Sequence, residues 1–197
     1  MAATPSVDGP TPGSSADAVG SADPVETARS ICLQQLTGAP RTRAQLEKAL
    51  ARKNVPEPVA RQVLDRFVEV GLVDDAGYAM AWVESRHRGR GLARRALAHE
   101  LRQRGVGEVE AAQALDTLDS AQELATARAL VDRRVAATRG MDPERRVRRL
   151  AGMLARKGYG PGLSMQVVRA ALADDDDVRV LDGLLDGLPD EGSLPEE

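Results

Sequence analysis

The feature that most constrains this chain is a leucine-faced pattern that occurs three times in one register. The stretches Arg43 to Asn54, Arg94 to Gly105 and Val147 to Gly158 align without gaps on their last residues. Each carries leucine eight residues before that position (Leu46, Leu97, Leu150) and again four before it (Leu50, Leu101, Leu154). A spacing of four keeps both leucines on one helical face. The residue just before the aligned position is basic (Lys53, Arg104, Lys157) and the one after it is apolar or aromatic (Val55, Val106, Tyr159). This is the chemistry of a helix C-terminus. Gly and Asn accept the left-handed backbone at the first position past the helix, a cation complements the carbonyl end, and the next apolar side chain folds back on the last turn. The aligned positions lie 51 and 53 residues apart, a period that marks a tandem array of helical units.

Three helices fill each period. Val25 to Leu36, Arg43 to Lys53 and Pro58 to Val70 read as helices in the first unit, the last closed by Gly71 and Leu72. Ala76 to Arg86, Ala93 to Arg104 and Glu108 to Leu118 fit the second, with Asp74 or Asp75 as cap. Ala121 to Thr138, Pro143 to Lys157 and Leu163 to Ala173 fit the third, where Asp142 and Pro143 suit the cap and first helical positions. Aromatic residues make up only 2% of a chain that is 42% apolar, so its core is built of Leu, Val and Ala, which suits helices better than sheet. The expected fold is all-α: about nine helices in three-helix repeats over residues 25–73, 74–119 and 120–173. Units this small bury little apolar surface alone, so they should stack into an elongated, curved rod. Residues 1–24, rich in Pro, Ser, Gly and Ala, are expected to be a disordered extension, and residues 174–197 an acidic, largely disordered tail.

The formal charge of −3 conceals an asymmetry. Residues 25–173 hold 26 basic and 17 acidic side chains, a balance of +9, whereas residues 174–197 hold ten acids and one Arg, a balance of −9. A basic body favours polyanions, and an acidic segment can compete for the same surface or contact a basic partner. The single Cys32 excludes an intramolecular disulfide and, with His87 and His99 alone beside it, leaves too few soft ligands for structural zinc. Set between Ile31 and Leu33, it reads as a core thiol. No stretch is apolar enough to span a bilayer and no secretory signal is evident, so the expected address is the cytoplasm.

From Gly71 to Val106 the chain reads GLVDDAGYAMAWVESRHRGRGLARRALAHELRQRGV, and this stretch resembles the RecX family of recombinase regulators. The turn Gly71 to Asp75, Tyr78-Ala79, Ala81-Trp82-Val83, Glu100-Leu101 and Arg104-Gly105-Val106 carry the resemblance; Ala28 to Val70 and Ala125 to Leu172 match more loosely. It implies tandem three-helix repeats lying along the groove of a RecA filament on single-stranded DNA and modulating recombinase activity, with inhibition the expected sign. The chain departs from the family pattern at Asn54, where glycine is usual, and in its Arg-rich third unit.

Two groups of arginines are the candidate contact residues for protein or DNA. Arg86, Arg88, Arg90, Arg94 and Arg95 cluster at a helix end, a loop and the next helix start; guanidinium groups there can grip phosphates or carboxylates, or simply be solvated. On the helix from Pro143, the residues Arg145, Arg148, Arg149 and Arg156 fall opposite the stripe of Val147, Leu150, Ala151 and Leu154, a ridge suited to an acidic surface. Tyr78 and Trp82 share a helix face, where core packing competes with stacking on unpaired bases. Gly158 to Gly162 lacks the context of a phosphate loop and reads as a turn. Neither histidine has a partner for acid–base chemistry, and Asp174 to Asp177 lacks the ligand spacing of a calcium loop. No catalytic residue, cofactor, metal, small-molecule substrate or membrane is expected, and the chain should be a monomer. The competing expectation is an independent DNA-binding protein of helix-turn-helix type.

Overall fold

The computed structural model describes residues 23–173. The expectations for residues 1–22 and 174–197 lie outside the described residues. Among the described residues there are nine α-helices, one 3-10 turn and no strand.

Helices α1 (Pro24–Gly38), α2 (Arg43–Arg52) and α3 (Glu57–Glu69) pack on one another to form the first unit. Next come α4 (Asp75–Arg90), α5 (Arg94–Gln103) and α6 (Glu108–Asp116), and then α7 (Ser120–Val135), α8 (Pro143–Arg156) and α9 (Pro161–Leu172). Each triplet encloses its own apolar cluster. The six repeat leucines are at most 1% exposed and lie at the centres of these clusters. Cys32 is buried in the first cluster, which pushes its thiol pKa up.

The aligned turns are the same structure three times. Asn54, Gly105 and Gly158 have φ of 58°, 73° and 89°. The amides of Val55, Val106 and Tyr159 each donate to the carbonyl of the leucine five residues back, at 3.2 Å, closing the helix end as the sequence requires. Asp74 caps α4 by accepting from the Gly77 amide at 2.8 Å. Asp142 caps α8 with Pro143 in the first turn.

The turns also join the units. The Thr42 hydroxyl donates to the Arg104 carbonyl at 2.7 Å, and the Arg43 amide to Asp75 Oδ1 at 2.9 Å. In the same register 51 residues on, the Ala93 amide donates to the Lys157 carbonyl at 2.8 Å and the Arg94 amide to Glu123 Oε1 at 2.7 Å. The N-terminus of one unit's middle helix thus sits on the C-terminus of the next unit's middle helix. Carboxylates suit this place because helix amides start there. A Cβ on Gly105 would lie 2.3 Å from Ala44 Cβ, and one on Gly158 would lie 2.5 Å from the Ala96 nitrogen. Glycine therefore serves both the positive φ and the approach of the preceding unit. No unit precedes α1 among the described residues, which is the physical reason Asn54 suffices in the first turn.

Candidate functional site

Two of the grooves beside these joints differ in chemistry. The first, of about 640 Å³, lies between units one and two and is walled by Pro40, Leu72, Tyr78, Ala81, Trp82 and Arg104. Trp82 is held from several sides. Tyr78 stacks on it at 5.8 Å between centroids and 10° between planes. The guanidinium groups of Arg86 and Arg104 lie 4.0 and 3.5 Å from its ring centroid. Its indole N–H donates to Glu100 Oε2 at 2.7 Å, and Arg86 lies 3.5 Å from the same carboxylate. Both aromatic rings are half-buried against the core of the second unit, so packing accounts for them. Burial pushes the Asp75 carboxyl up at this joint, and the Arg43 amide pulls it partly back.

The second groove, of about 950 Å³, lies between units two and three. Its cations are Arg88, Arg90, Arg133, Arg156 and Lys157, and no acid lines it. A smaller recess of about 450 Å³ adjoins it, sharing Met153 and Arg156 and adding Arg134 and Arg149, again without an acid. Together they form one tract of seven cations. Arg90, Arg133, Arg134, Arg149 and Arg156 make no ion pair among the described residues. Charges of one sign at this density create a positive potential over several ångströms and attract polyanions.

The floor of this groove is fixed. His87 is buried, with Nδ1 2.9 Å from the Leu92 carbonyl and Nε2 2.9 Å from Thr126 Oγ1. The carbonyl can only accept, so Nδ1 carries a proton towards it. The Lys157 ammonium donates to the Arg90 carbonyl, and the Tyr159 hydroxyl donates to the Gly91 carbonyl at 3.2 Å. Burial, with Glu123 nearby, pushes the Tyr159 phenol up to about 12. Tyr159 therefore does more than the Val55 and Val106 that occupy its place elsewhere.

The structure divides the arginines that the sequence grouped together. Helix α4 runs on to Arg90, so Arg88 and Arg90 sit on its last turn rather than in a loop, because Gly91 at φ 62° provides the stop. Arg88 pairs with Glu84 at 2.9 Å and still lines the basic groove. Arg86 lies on the Trp82 side, away from it. Arg94 is committed internally, to Asp116 at 2.9 Å and the Leu118 carbonyl at 2.8 Å. Along α8, Arg149 faces the tract, Arg148, paired with Glu144, lines a groove on the other flank with Arg95 and Arg102, and Arg156 borders both. Arg145 is exposed near the helix start. The ridge is therefore a crest between two basic slopes.

Sequence reasoning passed over Arg133, Arg134 and the groove role of Lys157. A count of charge by unit would have pointed to them: residues 120–173 hold eleven basic and four acidic side chains, +7 of the +9. It also passed over Arg146, which is 3% exposed and donates from Nε to Thr138 Oγ1 at 3.0 Å. Its spacing of four from Leu150 and eight from Leu154 places it on the buried face. Among the described residues, no group of three or more His, Cys, Asp or Glu is placed to hold a metal ion, and no helix is long and apolar enough to cross a membrane.

Three-helix units joined by equivalent turns define a helical-repeat protein with a basic groove at one joint. Family models narrow that class. The models described as the first, second and third three-helix domains of RecX match residues 28–67, 74–115 and 121–168. The chain belongs to the RecX family. It is 59% identical over 153 residues to a Streptomyces coelicolor protein named Regulatory protein RecX, covering 78% of this chain and 81% of that one. It is 61% identical over 165 residues to the protein of that name from Thermobifida fusca, covering 84% and 87%. The crystal structure of RecX from Lactobacillus salivarius shares the fold, with a TM-score of 0.71 at 15% identity over 76% of this chain and 97% of that one.

Proposed function

We propose that this chain is a cytoplasmic regulator that binds a RecA recombinase filament as a monomer and restrains its assembly, ATPase and strand exchange, acting by contact and not by catalysis. The observation that carries this reading is the acid-free tract at the second joint, in a chain of a family whose members are named regulatory proteins. A linear array suits a repeating partner, because consecutive units can meet consecutive subunits. Filament DNA or acidic protein surface would meet Arg88, Arg90, Arg149 and Arg156 together with Arg133, Arg134 and Lys157. Arg95, Arg145 and Arg148 would form a flanking contact, whereas Arg86 and Arg94 serve the fold. The test is a titration of the purified chain into recombinase filaments on single-stranded DNA, with ATP turnover and strand exchange followed. Both should fall. Rates unchanged through a full titration would end the proposal.

A second reading, an independent DNA-binding protein, draws on the same tract, since phosphates need no recombinase to be attracted. Tight binding to bare DNA with sequence preference and a steep salt dependence, without association with the recombinase, would favour it.

A further inference from the structure

Residues 174–197 and the basic tract are complementary in charge. The segment carries ten acids and one Arg, and the tract offers seven cations and no acid. Five of these cations have no ion-pair partner among the described residues, so nothing in the body of the protein neutralises them. Distance permits the two to meet. Leu172, at the end of α9, is packed into the core that α7 and α8 also line, and α8, at 14 residues, is only about 21 Å long. A chain of 24 residues spans about 25 to 30 Å on average even when flexible. A tethered segment meets the groove at a millimolar-range effective concentration, so a weak contact is enough to populate it.

We propose that residues 174–197 seat on the tract formed by Arg88, Arg90, Arg133, Arg134, Arg149, Arg156 and Lys157 and act as a built-in competitor of the polyanion that the tract binds. The inference rests on the tract being a polyanion-contact surface. It adds a threshold: free protein is self-screened, and only a ligand of higher charge density, such as a nucleic acid backbone, displaces the segment. The contact is electrostatic and weakens with salt.

The experiment uses the full chain in two measurements. In the first, a spin label is placed at Gly187→Cys; the buried Cys32 leaves the new thiol as the accessible one. The amide resonances around Arg133, Arg149 and Arg156 should broaden at low salt and recover with added salt, independently of protein concentration. Absence of broadening, or broadening that grows with concentration and so reports a second copy, overturns the proposal. In the second, a labelled oligodeoxythymidylate is titrated into the full chain and into a variant with Asp174, Asp175, Asp176, Asp177, Asp182 and Asp186 changed to Asn. The variant should bind about tenfold or more tightly at low salt, with the gap closing as salt rises. Equal affinity overturns the competition. If neither protein binds the oligonucleotide while the broadening is present, the polyanion reading of the tract fails and the seating of the segment stands.

Discussion

The two joints share one backbone design and have opposite surfaces. Both set the N-terminus of a middle helix on the last carbonyls of the next, through the Thr42 hydroxyl at the first joint and the Ala93 amide at the second, and both need a glycine where the units meet. The first joint is finished with aromatic packing around Trp82, with Arg86 and Arg104 laid on the ring and Arg86 also beside Glu100. The second is fixed beneath by His87, Lys157 and Tyr159, which leaves its arginines turned outward. A repeat array can therefore hold its architecture constant and vary one joint for stability and another for binding.

The largest effect should come from a change that strikes both joints. Leu101→Ala removes a fully buried side chain from the second unit and should cost about 2 to 5 kcal/mol through lost transfer and a residual cavity. Because that unit belongs to both joints, hydrogen exchange should accelerate at Arg43 and at Ala93 alike; protection lost at one joint alone would break their equivalence.

A smaller effect separates the turns. Gly158→Ala combines a positive φ with a Cβ 2.5 Å from the Ala96 backbone nitrogen, and should cost about 2 to 4 kcal/mol, more than the 1 to 2 kcal/mol of left-handed strain alone. Asn54→Ala meets that strain without a unit to collide with, so about 1 kcal/mol is expected. Denaturant melts that ranked the two equally would contradict the role given to the joint glycine.

Tyr159→Phe should cost about 1 kcal/mol, the worth of one buried hydrogen bond, and should act on the second joint alone. Tyr159 also confers a pH dependence. Its pKa is raised from 10.0 to about 12 in the fold, so the folded chain holds the phenolic proton more tightly than the unfolded one. Stability is unaffected below pH 10 and is lost as pH rises from 10 towards 12. The Phe variant should lack that loss in thermal melts across the interval, and an identical profile would remove Tyr159 as its source.

The smallest stability change should come from reversing Arg133, Arg149 and Arg156 to Glu. All three are exposed, so the melting temperature should scarcely move while affinity for a single-stranded oligonucleotide collapses. A large drop in melting temperature would reveal a structural role for the tract.

These contrasts mark what the sequence could disclose. The leucine register, the turns at Asn54, Gly105 and Gly158, and the caps at Asp74 and Asp142 were legible because each depends on residues within one or two helical turns. The grooves were not, because they depend on how units meet. Arg88 and Arg94 look alike in sequence, yet one lines a groove and the other is held by Asp116 and Leu118. Arg149 gains its neighbour Arg134 only when α7 and α8 pack together. Helix α4 outran its expected end because Gly91, and not the Arg-rich stretch before it, stops the helix.

The most direct test of the central claim is co-sedimentation with recombinase filaments assembled on single-stranded DNA, comparing the native chain with the variant carrying Glu at positions 133, 149 and 156. The native chain should pellet with the filament and saturate, and the variant should stay in the supernatant although it remains folded. Equal pelleting of the two proteins, or a native chain left in solution, would contradict the account.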